Sequence, residues 1–216
     1  MNNNNKETTI LVTGSTGTVG SEVVKQLASS ISSSSGDNIS IRAAVHSQNK
    51  TDRLKQFDNE TVEIVDLNYT KPETVAAALN KVDKLFLQTL PVPDIAYSTS
   101  NLVKEAKKNG VKYIIKLSAM GADSEPRSTI LQLHGKEEKI IEESGISYTF
   151  LRPPAFMQNF ITQFGYTITQ NAFYVPAGDA KMSFVDSRDI AAVAVRILTN
   201  NNNGGSQQYV NKTYDV

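Results

Sequence analysis

Residues 8–24 read TTILVTGSTGTVGSEVV: a short β-branched run, glycines at Gly14, Gly17 and Gly20, and the beginning of a helical pattern. A strand that passes through a glycine turn directly into a helix opens a βαβ unit. The spacing is G-x-x-G-x-x-G rather than the commoner G-x-G-x-x-G. Gly14 permits a tight turn, Gly17 lets a pyrophosphate approach the backbone, and Gly20 lets the helix pack close to the strand. The free N–H groups of the first helical turn, at the positive end of its dipole, then hold phosphates. The hydroxyls of Thr13, Ser15, Thr16 and Thr18 add donors around the same turn, which Val19 completes. The arrangement implies a bound dinucleotide. A glycine turn that binds nothing, or only a mononucleotide, is the plainer reading.

Outward from this stretch, apolar runs alternate with helical patterns. Strands are expected at 8–12, 39–45, 61–65, 84–89, 111–117 and 147–152, and helices near 18–30, 72–81, 94–109, 129–144 and 155–170. In KPETVAAALNKV, Val75, Leu79 and Val82 recur at i, i+4 and i+7, one apolar stripe for a sheet. Pro72 and Glu73 suit a first helical turn, and KKNG at 107–110 supplies basic residues and a C-terminal glycine to end another helix. Regular β-α alternation means parallel strands with crossover helices on both faces. The expected architecture is therefore α/β, a doubly wound parallel sheet of Rossmann type, with its ligand crevice at the carboxyl ends of the strands. No internal repeat or linker divides the chain, so 1–216 reads as one domain with a flexible polar tail at 1–7.

Composition narrows the function. Lys+Arg and Asp+Glu are each 22, so the formal charge is zero and the basic excess of a nucleic-acid surface is missing. There is no Cys, which excludes disulfides, a thiolate nucleophile and Cys-based metal sites. Two His, His46 and His134, stand too far apart in sequence to suggest a His-rich metal site. No apolar run is long enough to span a bilayer, and MNNNNKETT lacks the apolar core of a secretory signal. A soluble, reducing, cytoplasmic setting is expected. The Asn run at 2–5, the Ser-rich stretch at 29–35 and the Asn run at 200–203 read as solvated tail and loops.

The end of the second strand chooses the dinucleotide. An acid there accepts from a ribose 2′-OH in NAD, whereas cationic or polar donors suit the 2′-phosphate of NADP. The chain reads Val45-His46-Ser47-Gln48-Asn49-Lys50, with no acid before Asp52. NADP(H) is favoured over NAD(H), with His46 and Lys50 as donors; a plain solvated loop is the alternative. Asp66 and Leu67 follow the third strand, where Asp66 either accepts from an adenine amino group or caps a turn.

Taken in order, LVTGSTGTVGSEVV (11–24), IRAAVHS (41–47), VEIVDLNYTKPETVAAAL (62–79), KLFLQTLP (84–91), VKYIIKLSAMGA (111–122), LHGKEEKIIEESGISYTFLRPPAFMQNF (133–160) and MSFVDSRDIAAVAVRIL (182–198) cover almost the whole chain. This ordered set resembles the NmrA-like group of atypical short-chain dehydrogenases/reductases, with its quinone-reductase and redox-sensor members. The resemblance implies that the glycine turn binds the pyrophosphate, that His46 and its neighbours meet the adenosine ribose, and that Asp66 and Leu67 border the adenine. It implies that Thr89, Leu90 and Pro91, and then Ser118 and Ala119, line the middle of the cofactor. Pro153, Pro154, Ala155 and Phe156 would flank the nicotinamide half, with Asn159 facing the pocket. It also implies further elements after a strand like NKTYDV; with the last residue at Val216, either the pocket is unusually open or the sequence is a shortened product.

One departure bears on chemistry. The dehydrogenase pair of the wider superfamily is Tyr followed by Lys at i+4, and none of the eight Tyr residues has it. At the expected helix, His134 and Glu138 take that spacing, with Lys136 between them on another face. His134 is either a proton donor, given its ordinary titration near neutrality, or a surface residue paired with Glu138. Lys136 is a candidate catalytic cation or a solvated charge, and Ser118 a site hydroxyl or a strand-end one. A ketone gives a strongly basic alkoxide that needs a placed acid, whereas a reduced quinone is a much weaker base that water can protonate. Loss of Tyr therefore favours an NADPH-dependent reductase of quinone-like acceptors, with His134, Asn159, Phe156 and Met157 shaping the acceptor site. The alternative is a non-catalytic NADP(H)-sensing regulator acting through a protein partner; nucleotide-sugar chemistry ranks third. An oligomer is compatible with either of the first two. Mixed charges on LVKEAKKNG and GKEEKIIEES read as solvated faces. Asp186 is expected to cap the helix that follows it.

Overall fold

The first strand, β1 (Thr8–Val12), is central because its apolar residues are wanted on both sides: Ile10 and Val12 face one core, Leu11 the other. The structure is a computed structural model describing residues 7–33, 38–46, 54, 57, 61–90, 92, 94–123, 128–172, 178–200 and 208–216. Around β1 lie β2 (Ile39–Val45), β3 (Val62–Asp66), β4 (Lys84–Leu87), β5 (Tyr113–Leu117), β6 (Ser147–Arg152) and, near the C-terminus, β9 (Lys212–Asp215). They form a seven-stranded sheet in the order β3-β2-β1-β4-β5-β6-β9, with every pairing parallel. A separate parallel pair joins β7 (Ala155–Phe156) to β8 (Phe184–Val185). This is the doubly wound architecture expected from the β-α alternation, and the strand order reverses direction between β1 and β4.

Helices cover both faces, as an all-parallel sheet requires. On one face α1 (Thr18–Ser33) and α7 (Ser187–Thr199) bury Val19, Val23, Val24, Leu27, Ile190 and Ala194 against Ile10, Val12, Ile41 and Ala43. On the other, α2 (Pro72–Leu79), α3 (Ile95–Lys108) and α4 (Thr129–Ser144) bury Val75, Leu79, Leu102, Val103 and Ile141 against Leu11, Leu85, Leu87 and Ile114. Pro72 stands at the start of α2 with Glu73 in its first turn. Gly110, just past the end of α3, takes φ 79° as a left-handed terminator does. Among the described residues no helix is long and apolar enough to cross a membrane.

Two expectations need correction. The Ser-rich stretch is not all loop, because α1 continues through Ser33. Ser29 and Ser30 return their hydroxyls to the carbonyls of Lys25 (2.9 Å) and Leu27 (2.8 Å), and Ile31 packs on the core. Residues 155–170 are not one helix either, but β7, then α5 (Asn159–Thr162) and α6 (Gly165–Thr169). Pairing with β8 holds the start extended, with Met157 N–H donating to Val185 O at 2.9 Å. The turn of α5 then closes when Phe164 N–H reaches back to Asn159 O at 2.9 Å. Residues 1–6 of the expected tail and the Asn residues 201–203 lie outside the described residues.

Asp186 caps α7 as expected: its carboxylate accepts from Arg188 N–H at 2.8 Å and from Gln158 Nε2 at 2.9 Å. The guanidinium and N–H of Arg188, with Gln158, hold its pKa well below the ordinary carboxylate value. A carboxyl depressed in the fold contributes stability that is present above its unfolded pKa of about 4 and lost as the pH falls. Asp186→Ala is expected to lower the melting temperature at pH 7, Asp186→Asn less so, and the gap between wild type and Asp186→Asn is expected to narrow as melting is followed down through pH 4.

Candidate nucleotide and acceptor site

The strand-order reversal places a crevice at the carboxyl ends of β1 and β4, and the glycine turn sits in it. Gly14 takes φ 62°, open to glycine and strained for other residues. A Cβ on Gly20 would lie 2.2 Å from Gly14 O, so the helix start and the turn touch only because Gly20 has no side chain. Gln88, just past β4, fills the inside of the turn and its Oε1 accepts from Gly20 N–H at 2.9 Å. Gly17 N–H closes on Gly14 O at 2.8 Å. The N–H groups of Thr18 and Val19 have no partner among the described residues, which is the donor set a helix start offers a phosphate. The turn thus fits a dinucleotide pyrophosphate.

Several expected donors are spent elsewhere. Thr13 Oγ1 donates to Gln88 O (2.9 Å) and accepts from Gln88 N–H (2.9 Å), tying β1 to β4. Ser15 Oγ donates to Ala44 O at 2.6 Å and is fully buried. Both hydroxyls brace the turn from beneath; Thr16 and Thr18 remain half-buried beside it. Val19 lies in the core, so only its backbone belongs to the site. At the end of β2, His46 is exposed, while Lys50 lies outside the described residues. Asp66 ends β3 with an exposed side chain, but Leu67 points into the core and does not border the crevice.

Beyond β4, Thr89 turns inward, Leu90 is exposed, and Pro91 lies outside the described residues. Thr89 belongs to a buried ionic cluster. Lys116, next to the carboxyl end of β5, is completely buried, with Nζ 3.1 Å from Glu137 Oε2, 3.1 Å from Thr89 Oγ1 and 2.6 Å from Leu117 O. Glu137, on α4, accepts from Thr89 (3.0 Å) and from Thr99 on α3 (2.6 Å). His134 Nδ1 is 3.3 Å from Lys116 Nζ and 3.6 Å from Glu137 Oε2. Beside it Ser118 Oγ donates to Glu138 Oε1 at 2.5 Å, and Arg152 from β6 forks onto the same carboxylate. Pro153 is buried, and Phe156 packs partly on the core. Asn159 starts α5, half-buried, its side chain without a partner among the described residues.

His134 does not pair with Glu138, which is taken by Ser118 and Arg152; its partners are Lys116 and Glu137. Lys136 is exposed on the outer side of α4, because two residues turn a helix about 200°. The lysine beside His134 is Lys116. Burial and then the Lys116 charge push the His134 pKa down to about 4, with Glu137 opposing. The imidazole is therefore neutral at pH 7, a hydrogen-bond donor and not a reservoir of acid. Burial lowers Lys116 as well, with Glu137 pulling it back. Tyr69, next to Thr13, is driven up to about 12, first by burial and then by the Glu137 charge, so it stays a phenol. Lys116, Glu137, Thr99, Gln88, Tyr69 and Arg152 are not among the residues the sequence nominates. For Lys116 a signal exists: it is one charge within YIIKL, a strand whose other residues are apolar.

The chain matches the NAD(P)H-binding family over residues 14–201. It belongs to that family. It is 35% identical over 190 residues to the NAD(P)H azoreductase of Xenophilus azovorans, covering 88% of this chain and 63% of that protein. It is 32% identical over 191 residues to prestalk A differentiation protein A of Dictyostelium discoideum, covering 88% and 59%. The NADPH complex of the NADPH-dependent quinone oxidoreductase of Escherichia coli superposes with a TM-score of 0.77 at 26% identity, covering 96% of this chain and 68% of that one. The expected kinship with quinone reductases of the atypical short-chain group holds. The chain spans 63% and 59% of the lengths of the two curated relatives named here.

Proposed function

We propose that this protein is an NADPH-dependent reductase of quinone-like acceptors. The observation that carries the reading is His134, held neutral beside Lys116 of β5 and the Thr89–Glu137 contact that follows β4, and we read this as the nicotinamide end of the glycine turn. NADP(H) is preferred over NAD(H) because β2 runs into His46 with no acid beside it. The Escherichia coli quinone oxidoreductase named for NADPH supports the same choice.

A reduced nicotinamide, when bound, supplies the hydride. The chain's own residues orient and stabilise. Thr18 and Val19 N–H hold the pyrophosphate, and Gln88 fixes the turn that presents them. His134 donates a hydrogen bond to the acceptor oxygen on which charge develops, and Asn159 adds a polar contact from α5. A neutral imidazole stabilises an oxyanion but is a poor source of a full proton. That suffices for a hydroquinone anion, which takes its proton from water, and falls short for an alkoxide.

A second reading, a non-catalytic NADP(H)-responsive regulator with a protein partner, draws on the relative named for prestalk differentiation and on the lack of a Tyr-Lys pair. Thermal shifts with NADP⁺, NADPH, NAD⁺ and NADH, followed by turnover of a quinone panel, separate the two. The expected result is a larger shift with the NADP pair, quinone-dependent oxidation of NADPH, and a loss of about 100-fold in kcat on His134→Ala. A shift without turnover would leave the regulator; no shift with any nucleotide would remove both.

A further inference from the structure

We propose that the buried Lys116–Glu137 pair is a positioning device for His134, holding its proton on Nε2 and that edge of the ring toward the crevice. This rests on the reading of His134 as donor to the acceptor. The geometry begins with Nδ1. An ammonium only donates, so the 3.3 Å approach of Lys116 Nζ to Nδ1 requires Nδ1 to accept. A proton on Nδ1 would instead point at a cation, and the nearest carboxylate oxygen, Glu137 Oε2, is 3.6 Å away, too far to reward it. The proton is thereby assigned to Nε2.

The second step concerns where Nε2 points. Every buried side-chain nitrogen and oxygen among the described residues has a hydrogen-bond partner. The contacts of His134 all run through Nδ1. Nε2 is therefore the nitrogen that reaches the surface, consistent with a side chain that is 14% exposed.

The third step is the placement of the pair itself. Lys116 and Glu137 are 0% and 1% exposed, and two apolar side chains of similar volume would fill the space at no greater cost to the fold. Glu137 is gripped from three elements: by Lys116 from β5, by Thr89 after β4 and by Thr99 from α3. A carboxylate fixed in this way fixes the ammonium, and the ammonium faces the imidazole. The charged groups facing His134 are Lys116 from β5 and Glu137 from α4. Glu138 and Arg152 are paired with each other, and Tyr69 is a phenol. Burial and Lys116 together keep the ring neutral well below pH 7.

Nitrogen-15 NMR of the full chain tests the assignment, since there are only two His and His134→Gln identifies its signals. The expected spectrum shows the Nε2–H tautomer for His134, unchanged between pH 5.5 and 8. In Lys116→Met with Glu137→Gln, which removes both charges together, the tautomers are expected to mix and the ring to titrate closer to its ordinary pKa of about 6.5. An Nδ1–H tautomer in the wild type, or wild-type shifts in the double variant, would overturn the proposal. The wild-type spectrum decides even if the double variant does not fold. Because the tautomer is read without turnover, an Nε2–H ring in a protein that reduces no quinone sinks the reductase reading and leaves the positioning role standing. Quinone turnover by a protein with an Nδ1–H ring does the reverse.

Discussion

Lys116→Met alone is expected to destabilise the fold by about 3–5 kcal/mol, although Met has nearly the volume of Lys and is more apolar. The cost comes from what is left behind. Glu137 is 1% exposed and keeps only the hydroxyls of Thr89 and Thr99 once Lys116 is gone. A buried carboxylate without its counterion must be solvated by opening α4 from the sheet or neutralised by taking up a proton, and either option subtracts from folding. Adding Glu137→Gln is expected to recover most of the loss, because the uncompensated charge disappears with its partner. Urea titrations read the effect: the midpoint falls steeply in the single variant and returns in the double, at a similar slope. Equal losses in the single and double variants would mean that packing, not charge pairing, dominates at Lys116.

The same cluster shows where the sequence stops being readable. Apolar runs such as TILV and YIIKL identify buried parallel strands, and Pro72, Gly110 and Asp186 mark helix ends by chemistry local to each position. Those signals act over a few residues, so they survive in one dimension. The hydroxyl of Ser15 is claimed by Ala44, 29 residues away, and that of Thr13 by Gln88, 75 residues away, so neither fate can be inferred from the glycine turn itself. Lys116 meets Glu137 only after β5 and α4 pack together; in the sequence Glu137 is one acid among KEEK. The helical pattern over 155–170 fails for a related reason. Its apolar residues also suit pairing with β8, contributed by Phe184 and Val185, and the tertiary contact wins over local propensity.

Gly20→Ala is expected to abolish nucleotide-induced stabilisation. Its Cβ would fall 2.2 Å from Gly14 O and 2.6 Å from Gly14 C, and both are backbone atoms that no rotamer change can move aside. Either α1 or the turn must shift. Val19, Val23, Val24 and Leu27 anchor α1 in the core, so the turn yields first. It then loses the Gln88–Gly20 bond and the alignment of the Thr18 and Val19 N–H groups that a pyrophosphate would use. Overpacking of this kind costs about 1–3 kcal/mol in stability, so the protein is expected to stay folded at room temperature but to show no thermal shift with NADPH. Gly17→Ala provides the contrast. Its Cβ would meet Gln88 Nε2 and Gly14 O at 3.1 Å, a crowding that a few tenths of an ångström relieve. Its melting temperature is expected near that of the wild type, with nucleotide affinity reduced, because the added methyl presses on Gln88, whose bond to Gly20 N–H holds the turn. If both variants kept the full NADPH shift, the phosphates would not lie on this turn, and the donor role of Thr18 and Val19 would fall with them.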